Sequence, residues 1–110
     1  MTKKEEAARL VKKGLSPREI ARKMGKTMWE IQTYLFSLIA ERRLTRSDIL
    51  LTISAEEKEA FESHIESYRG HRGKKGHWAL IESAKLKGMD FEQLRIYVDC
   101  RDPKVSQSHL

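Results

Sequence analysis

Arg18, Arg22, Lys23, Lys26, Thr27, Gln32 and Thr33 fall within sixteen consecutive residues. Their side chains are of the kinds that recognise nucleic acid. Arginine and lysine neutralise phosphate oxygens, a threonine hydroxyl bonds a phosphate or a base, and a glutamine amide can pair with adenine through two bonds. Met28 and Trp29 interrupt this polar run. Met28 is expected to face outward or to flank the core. Trp29 has three readings: a core residue under the preceding helix, an anchor for a protein partner, or a platform on which an unpaired base stacks. Each cation, taken singly, reads equally well as part of a solvated helix face.

A second candidate group lies in RGHRGKKGH, residues 69–77, where Arg69, Arg72, Lys74 and Lys75 stand among three glycines with His71 and His77. Such a segment can follow a phosphate backbone, or it can be a solvated connector. It is not a nucleotide-binding P-loop, because the Lys-Ser or Lys-Thr ending is absent and no apolar strand precedes it. His64, His71, His77 and His109 are dispersed, and Cys100 has no second cysteine, so a structural zinc site is not expected. Cys100 reads as a small packing residue. Glu56, Glu57, Glu59, Glu62 and Glu66 read as the solvated face of one helix. No nucleophile, base and orienting group can be named together. The expectation is a non-enzyme without metal or other cofactor.

The first group must be positioned by the segment GLSPREIARKMGKTMWEIQTYL, residues 14–35. Ser16, with Pro17 next and Glu19 three residues on, predicts a capping box that opens a short helix. Ile20, Ala21 and Met24 share a face, and Gly25 can close the helix in the left-handed conformation. Thr27 with Glu30 predicts a second capping box. Ile31, Tyr34, Leu35 and Leu38 then continue a longer helix to about Arg43. A short helix, a tight turn and a longer helix form a helix-turn-helix over about residues 16–43, whose second helix can enter a major groove.

The remaining elements are also helical. Thr2 with Glu5 caps a first helix carrying Ala7, Ala8, Leu10 and Val11. Residues 45–48 read as a turn or short helical step. Ser54 with Glu57 opens a helix bearing Phe61, Ile65 and Tyr68. Leu80, Ile81 and Ala84 mark another, with Trp78 at its start, and Asp90 with Gln93 opens a last one bearing Phe91, Leu94, Tyr97 and Val98. The predicted fold is all-α: five or six short helices around one core, a single domain over residues 1–103 with a frayed tail at 104–110.

Length and composition agree. A chain of 110 residues, 39% apolar, has room for one modest core. No apolar run approaches the ~20 residues a membrane span needs, and residues 1–9 lack the apolar centre of a secretion signal. One cysteine fits a reducing compartment, so a cytoplasmic location is expected. The net charge of +6 is unevenly placed. Residues 1–50 carry twelve Lys or Arg against six acids and residues 69–88 six against one, whereas residues 51–68 hold five Glu and one Lys. Two basic regions flanking an acidic one favour a polyanionic partner through counterion release.

With the order of elements established, a family resemblance emerges. GLSPREIARKMG, TYLFSLIAERRLTRSDIL, ISAEEKEAFESHIE and MDFEQLRIYV, together spanning about residues 14–98, resemble the helix-turn-helix domain at the C-terminal end of some RecQ-type DNA helicases and related bacterial proteins. Ile20-Ala21 looks like the apolar-Ala pair of helix-turn-helix proteins, Gly25 like their turn glycine, and Ile31 and Tyr34 like their plugging residues; Lys26 stands where such proteins are usually apolar. The resemblance implies an auxiliary domain of DNA transactions or transcription. Its partner would be DNA, duplex or single-stranded, or a helicase or other DNA-processing protein, with no membrane involved.

Overall fold

The computed structural model describes residues 1–67 and 76–101, apart from the side chains of 76–78. All regular structure among the described residues is α-helical, in seven helices rather than five or six. The additional helix is the step after Thr45, which a complete capping box between Thr45 and Asp48 turns into a helical segment. The chain divides into two compact units, Met1–Ile53 and Ser54–Leu110, a division that the single-domain reading of residues 1–103 does not contain. The expected tail at 104–110 lies outside the described residues.

The first unit contains α1 (Lys3–Lys12), α2 (Pro17–Met24), α3 (Met28–Ala40) and α4 (Arg46–Leu50). Capping boxes at Thr2/Glu5 and Ser16/Glu19 form as expected, with Pro17 in the first turn of α2. Each such cap satisfies amide groups the helix leaves open and contributes about 1 kcal/mol. α3 is the element on which both α1 and α2 pack. Small Ala7 and Ala8 let α1 approach closely, and Leu10, Val11, Ile20, Ile31, Leu35, Leu38 and Ile49 are buried around them. A polar hook closes the α1–α3 edge, where the Lys4 ammonium donates to Ser37 Oγ at 3.3 Å and to the Glu41 carboxylate.

α3 ends at Ala40 rather than near Arg43, because Arg42 leaves helical geometry with a φ of +61°. Its inward stripe also begins earlier than expected. Met28, Ile31, Leu35 and Leu38 are all buried, a spacing of three, four and three that keeps one side of the helix against its neighbours. Tyr34 consequently sits half-buried on the flank.

The second unit contains α5 (Ala55–Ser67), α6 (Gly76–Leu86) and α7 (Phe91–Arg101). Phe61 of α5 meets Tyr97 of α7 with ring centroids 5.3 Å apart and planes tilted by 49°. His64 is buried, with Nε2 3.0 Å from the Leu80 carbonyl and Nδ1 3.3 Å from Lys87 Nζ. A carbonyl can only accept and an ammonium can only donate, so this network assigns the ring proton to Nε2. Cys100 is buried on α7. Two of the five glutamates assigned to a solvated face turn instead toward α7: Glu57 accepts from the Gln93 amide, and Glu62 accepts from the Tyr97 hydroxyl and pairs with Arg101.

Candidate functional site

The candidate residues of the first unit are presented by the C-terminal turn of α2, the turn itself, and the N-terminal half of α3. Arg22 and Lys23 are exposed in the last turn of α2. There they also face the negative end of the helix dipole, which favours cations. Gly25 closes α2 at a φ of +66°, with the Lys26 amide donating to the Ala21 carbonyl at 2.9 Å. This left-handed residue is what reverses the chain within two residues and allows Thr27 to cap α3. Arg18 is half-buried in the first turn of α2 and already has an interaction partner.

The cap of α3 forms only in part. The Thr27 hydroxyl accepts from the Glu30 amide at 3.1 Å and donates to Glu30 Oε1 at 3.3 Å, but the Glu30 side chain does not reach back to the Thr27 amide. Its other oxygen lies 3.7 Å from Lys26 Nζ. Lys26 is thus half-buried and held along α3 rather than extended into solvent.

Lys26 also has a neighbour that sequence reasoning missed. Lys3, at the start of α1, brings its amino group near that of Lys26. Competition between the two amines for one proton, and then the Lys26 charge, pulls Lys3 below the ordinary lysine value; the same competition, and then Glu30, raises Lys26 above it. Lys3 is exposed and Lys26 half-buried, and the pair concentrates positive charge at this edge. No local pattern around Lys3 signals this meeting, which exists only because α1 packs on α3.

On α3 itself the structure separates two adjacent residues. Met28 is buried and cannot contact a partner, which corrects the outward or flanking position expected for it. Trp29 is 65% exposed, which overturns the core-packing reading. The two corrections have one cause. With Met28 leading the inward stripe, the next residue is rotated about 100° around the helix axis and projects away from the helices behind. Thr33 is exposed, its hydroxyl donating to the Trp29 carbonyl at 3.0 Å, while Gln32 and Phe36 are half-buried beside it. Arg69, Arg72, Lys74 and Lys75, with His71, lie outside the described residues, as does the side chain of His77.

Among the described residues no group of three His, Cys, Asp or Glu side chains is placed to hold a metal ion, and no helix is long and apolar enough to cross a membrane. Comparison with protein-family models, curated proteins and solved structures returns no match to this chain.

Proposed function

We propose that this chain is a non-catalytic DNA-binding protein in which α2 and α3 act as a helix-turn-helix, attached mainly through phosphate contacts. The observation that carries this reading is the division of α3 into two sides. Ile31, Leu35 and Leu38 are fully buried, while Trp29 and Thr33 stand on the surface, preceded by exposed Arg22 and Lys23. In this reading Arg22, Lys23 and the Lys3–Lys26 pair neutralise phosphates, and Gln32 reaches a base edge. A phosphate beside Lys3 and Lys26 would offset the repulsion between their two charges. An auxiliary part in DNA transactions or transcription, and the likeness to the RecQ-associated domain, belong to the same proposal.

A second reading is favoured by one observation, the exposure of Trp29. A large aromatic on the surface with half-buried Phe36 nearby is the kind of anchor that protein partners bury. In that reading the chain is an adaptor that docks a DNA-processing protein.

Titration of the full chain with short duplex and single-stranded DNA tests the first reading. It expects dissociation constants of about micromolar or weaker, steeply salt-dependent, with amide shifts concentrated in residues 18–36. Charge reversal at Arg22 together with Lys26 weakens binding; unchanged binding removes this surface from consideration.

A further inference from the structure

Among the described residues, four helices close with the same hydrogen bond, in which an amide reaches back five residues to a carbonyl. Leu15 bonds Leu10 at 3.1 Å, Lys26 bonds Ala21 at 2.9 Å, Met89 bonds Ala84 at 3.0 Å and Arg43 bonds Leu38 at 2.9 Å. The residue before each donor takes a left-handed φ. Three of these are glycine, at positions 14, 25 and 88; the fourth is Arg42. An L side chain is disfavoured there, and arginine lacks the short polar group that lets asparagine or aspartate tolerate it. A cation near the end of a helix is favoured by the dipole, but that does not require arginine at the left-handed residue itself.

The side chain has another setting. Arg42 and Arg46 line a cleft of about 430 Å³ together with Ile39, Leu44, Thr45 and Ser47, a volume within the range of small-ligand sites. Arg46 Nε is enclosed yet has no hydrogen-bond partner, and it is the one buried side-chain nitrogen or oxygen in that condition among the described residues. A buried N–H without an acceptor is costly, so Arg46 gains if its guanidinium turns to an acceptor brought into the cleft. Neither Arg42 nor Arg46 forms an ion pair among the described residues. Arg43 between them does, at 3.8 Å from Glu41, and Glu41 is further engaged by Lys4. Glu41 is therefore committed elsewhere, and the Asp48 carboxylate caps the Thr45 amide, so the two arginines line a cleft whose other side chains are apolar or hydroxyl.

We infer that this cleft is a binding site for a phosphate group, with Arg42 and Arg46 as its donors and Ile39 and Leu44 as the apolar wall for whatever carries the phosphate. Guanidinium matches the oxygens of a phosphate through paired N–H bonds, which lysine cannot do. The inference is independent of the α2–α3 reading, since it uses the other end of α3.

The test is an amide-shift titration of the full chain with pyrophosphate and with adenosine monophosphate. Saturable shifts are expected within residues 39–47. Both R46M and R42G should weaken binding by about tenfold or more, the effect of losing one charge-assisted bond. R42G places the preferred residue at a left-handed position, so failure to fold does not confound the result. Absence of saturable shifts in the unaltered chain, or unchanged affinity in both variants, overturns the inference. A competition arm identifies the source of the phosphate: displacement of pyrophosphate by duplex DNA assigns the site to the nucleic-acid backbone, and simultaneous binding assigns it to a free phosphorylated molecule.

Discussion

Gln93 donates its side-chain amide to the Glu57 carboxylate. These are the third residues of α7 and α5, each of which should reach back to its own helix start and complete a capping box. The first half of each cap is present, with the Glu57 amide donating to Ser54 Oγ and the Gln93 amide to Asp90 Oδ1, both at 3.1 Å. The side chains that could supply the second half of each cap bond one another between the two helices. A local signal has become a tertiary one.

Because Gln93 is buried and Glu57 half-buried, this bond is shielded more than a surface pair. Replacing Glu57 with alanine removes the carboxylate acceptor of a buried amide. The expected loss is about 1–2 kcal/mol, measured as a lower midpoint in urea with an unchanged slope. Glu57→Gln should lose less, because a neutral acceptor remains. An alanine variant as stable as the parent would show the bond to have no net value.

Tyr97 gives a pH-dependent counterpart. Burial first, and then the hydrogen bond to the neighbouring Glu62 carboxylate, push its hydroxyl up to about 12 from an ordinary value of 10.0. The folded state therefore favours the neutral phenol. That contribution is fully present below pH 10 and is lost as the pH rises from there through about 12. Stability should fall across this alkaline window, and Tyr97→Phe should flatten the fall while leaving the acidic side unchanged. An equal alkaline slope in the phenylalanine variant would exclude Tyr97 as its source.

Helix positions were legible in the chain because their signals are short-range. Ser16-Pro17-Glu19 fixes the start of α2, and Gly25 its end, without help from elsewhere. The flank on which Trp29 lies was not legible. Met28 and Trp29 are both apolar and adjacent, and sequence periodicity does not say which of them leads the buried stripe. The decision belongs to α1 and α2, whose packing accepts the flexible methionine and leaves the indole outside. Lys3 beside Lys26, and Arg42 with Arg46, escaped for a similar reason. Each pair unites residues whose local patterns are ordinary, and only the fold makes them neighbours or places them along one cleft.

Arg42→Gly is expected to stabilise the first unit. Relief of the left-handed strain is worth about 1–2 kcal/mol, and the added freedom of glycine in the unfolded chain returns up to about 1 kcal/mol of it. The net gain, about 1 kcal/mol at the middle of these ranges, should appear as a higher urea midpoint. Gly25→Ala imposes the opposite change at an equivalent closure and should cost about 1 kcal/mol or more. If both substitutions destabilise, the Arg42 side chain makes a folded-state contribution larger than the strain it causes.

The two readings of the α2–α3 face differ in what they ask of charge and of Trp29. Three phosphate contacts, at Arg22, Lys23 and the Lys3–Lys26 pair, give a log–log salt slope of about −2.7, which corresponds to a roughly fortyfold loss of affinity between about 50 and 200 mM salt. Replacing Arg22 by glutamate should lower the slope by about one contact as well as weaken binding. Trp29→Ala removes a side chain that is 65% exposed and should leave stability almost unchanged. Its effect on DNA then discriminates. If a base stacks on the indole, single-strand affinity falls by about 1–3 kcal/mol while duplex affinity is little affected. If Trp29 is a protein anchor, both DNA affinities survive and the salt slope is retained, because the phosphate contacts do not involve the ring. A chain that binds neither form of DNA in 50 mM salt loses the nucleic-acid reading altogether, since long-range attraction between these cations and phosphate is strongest there.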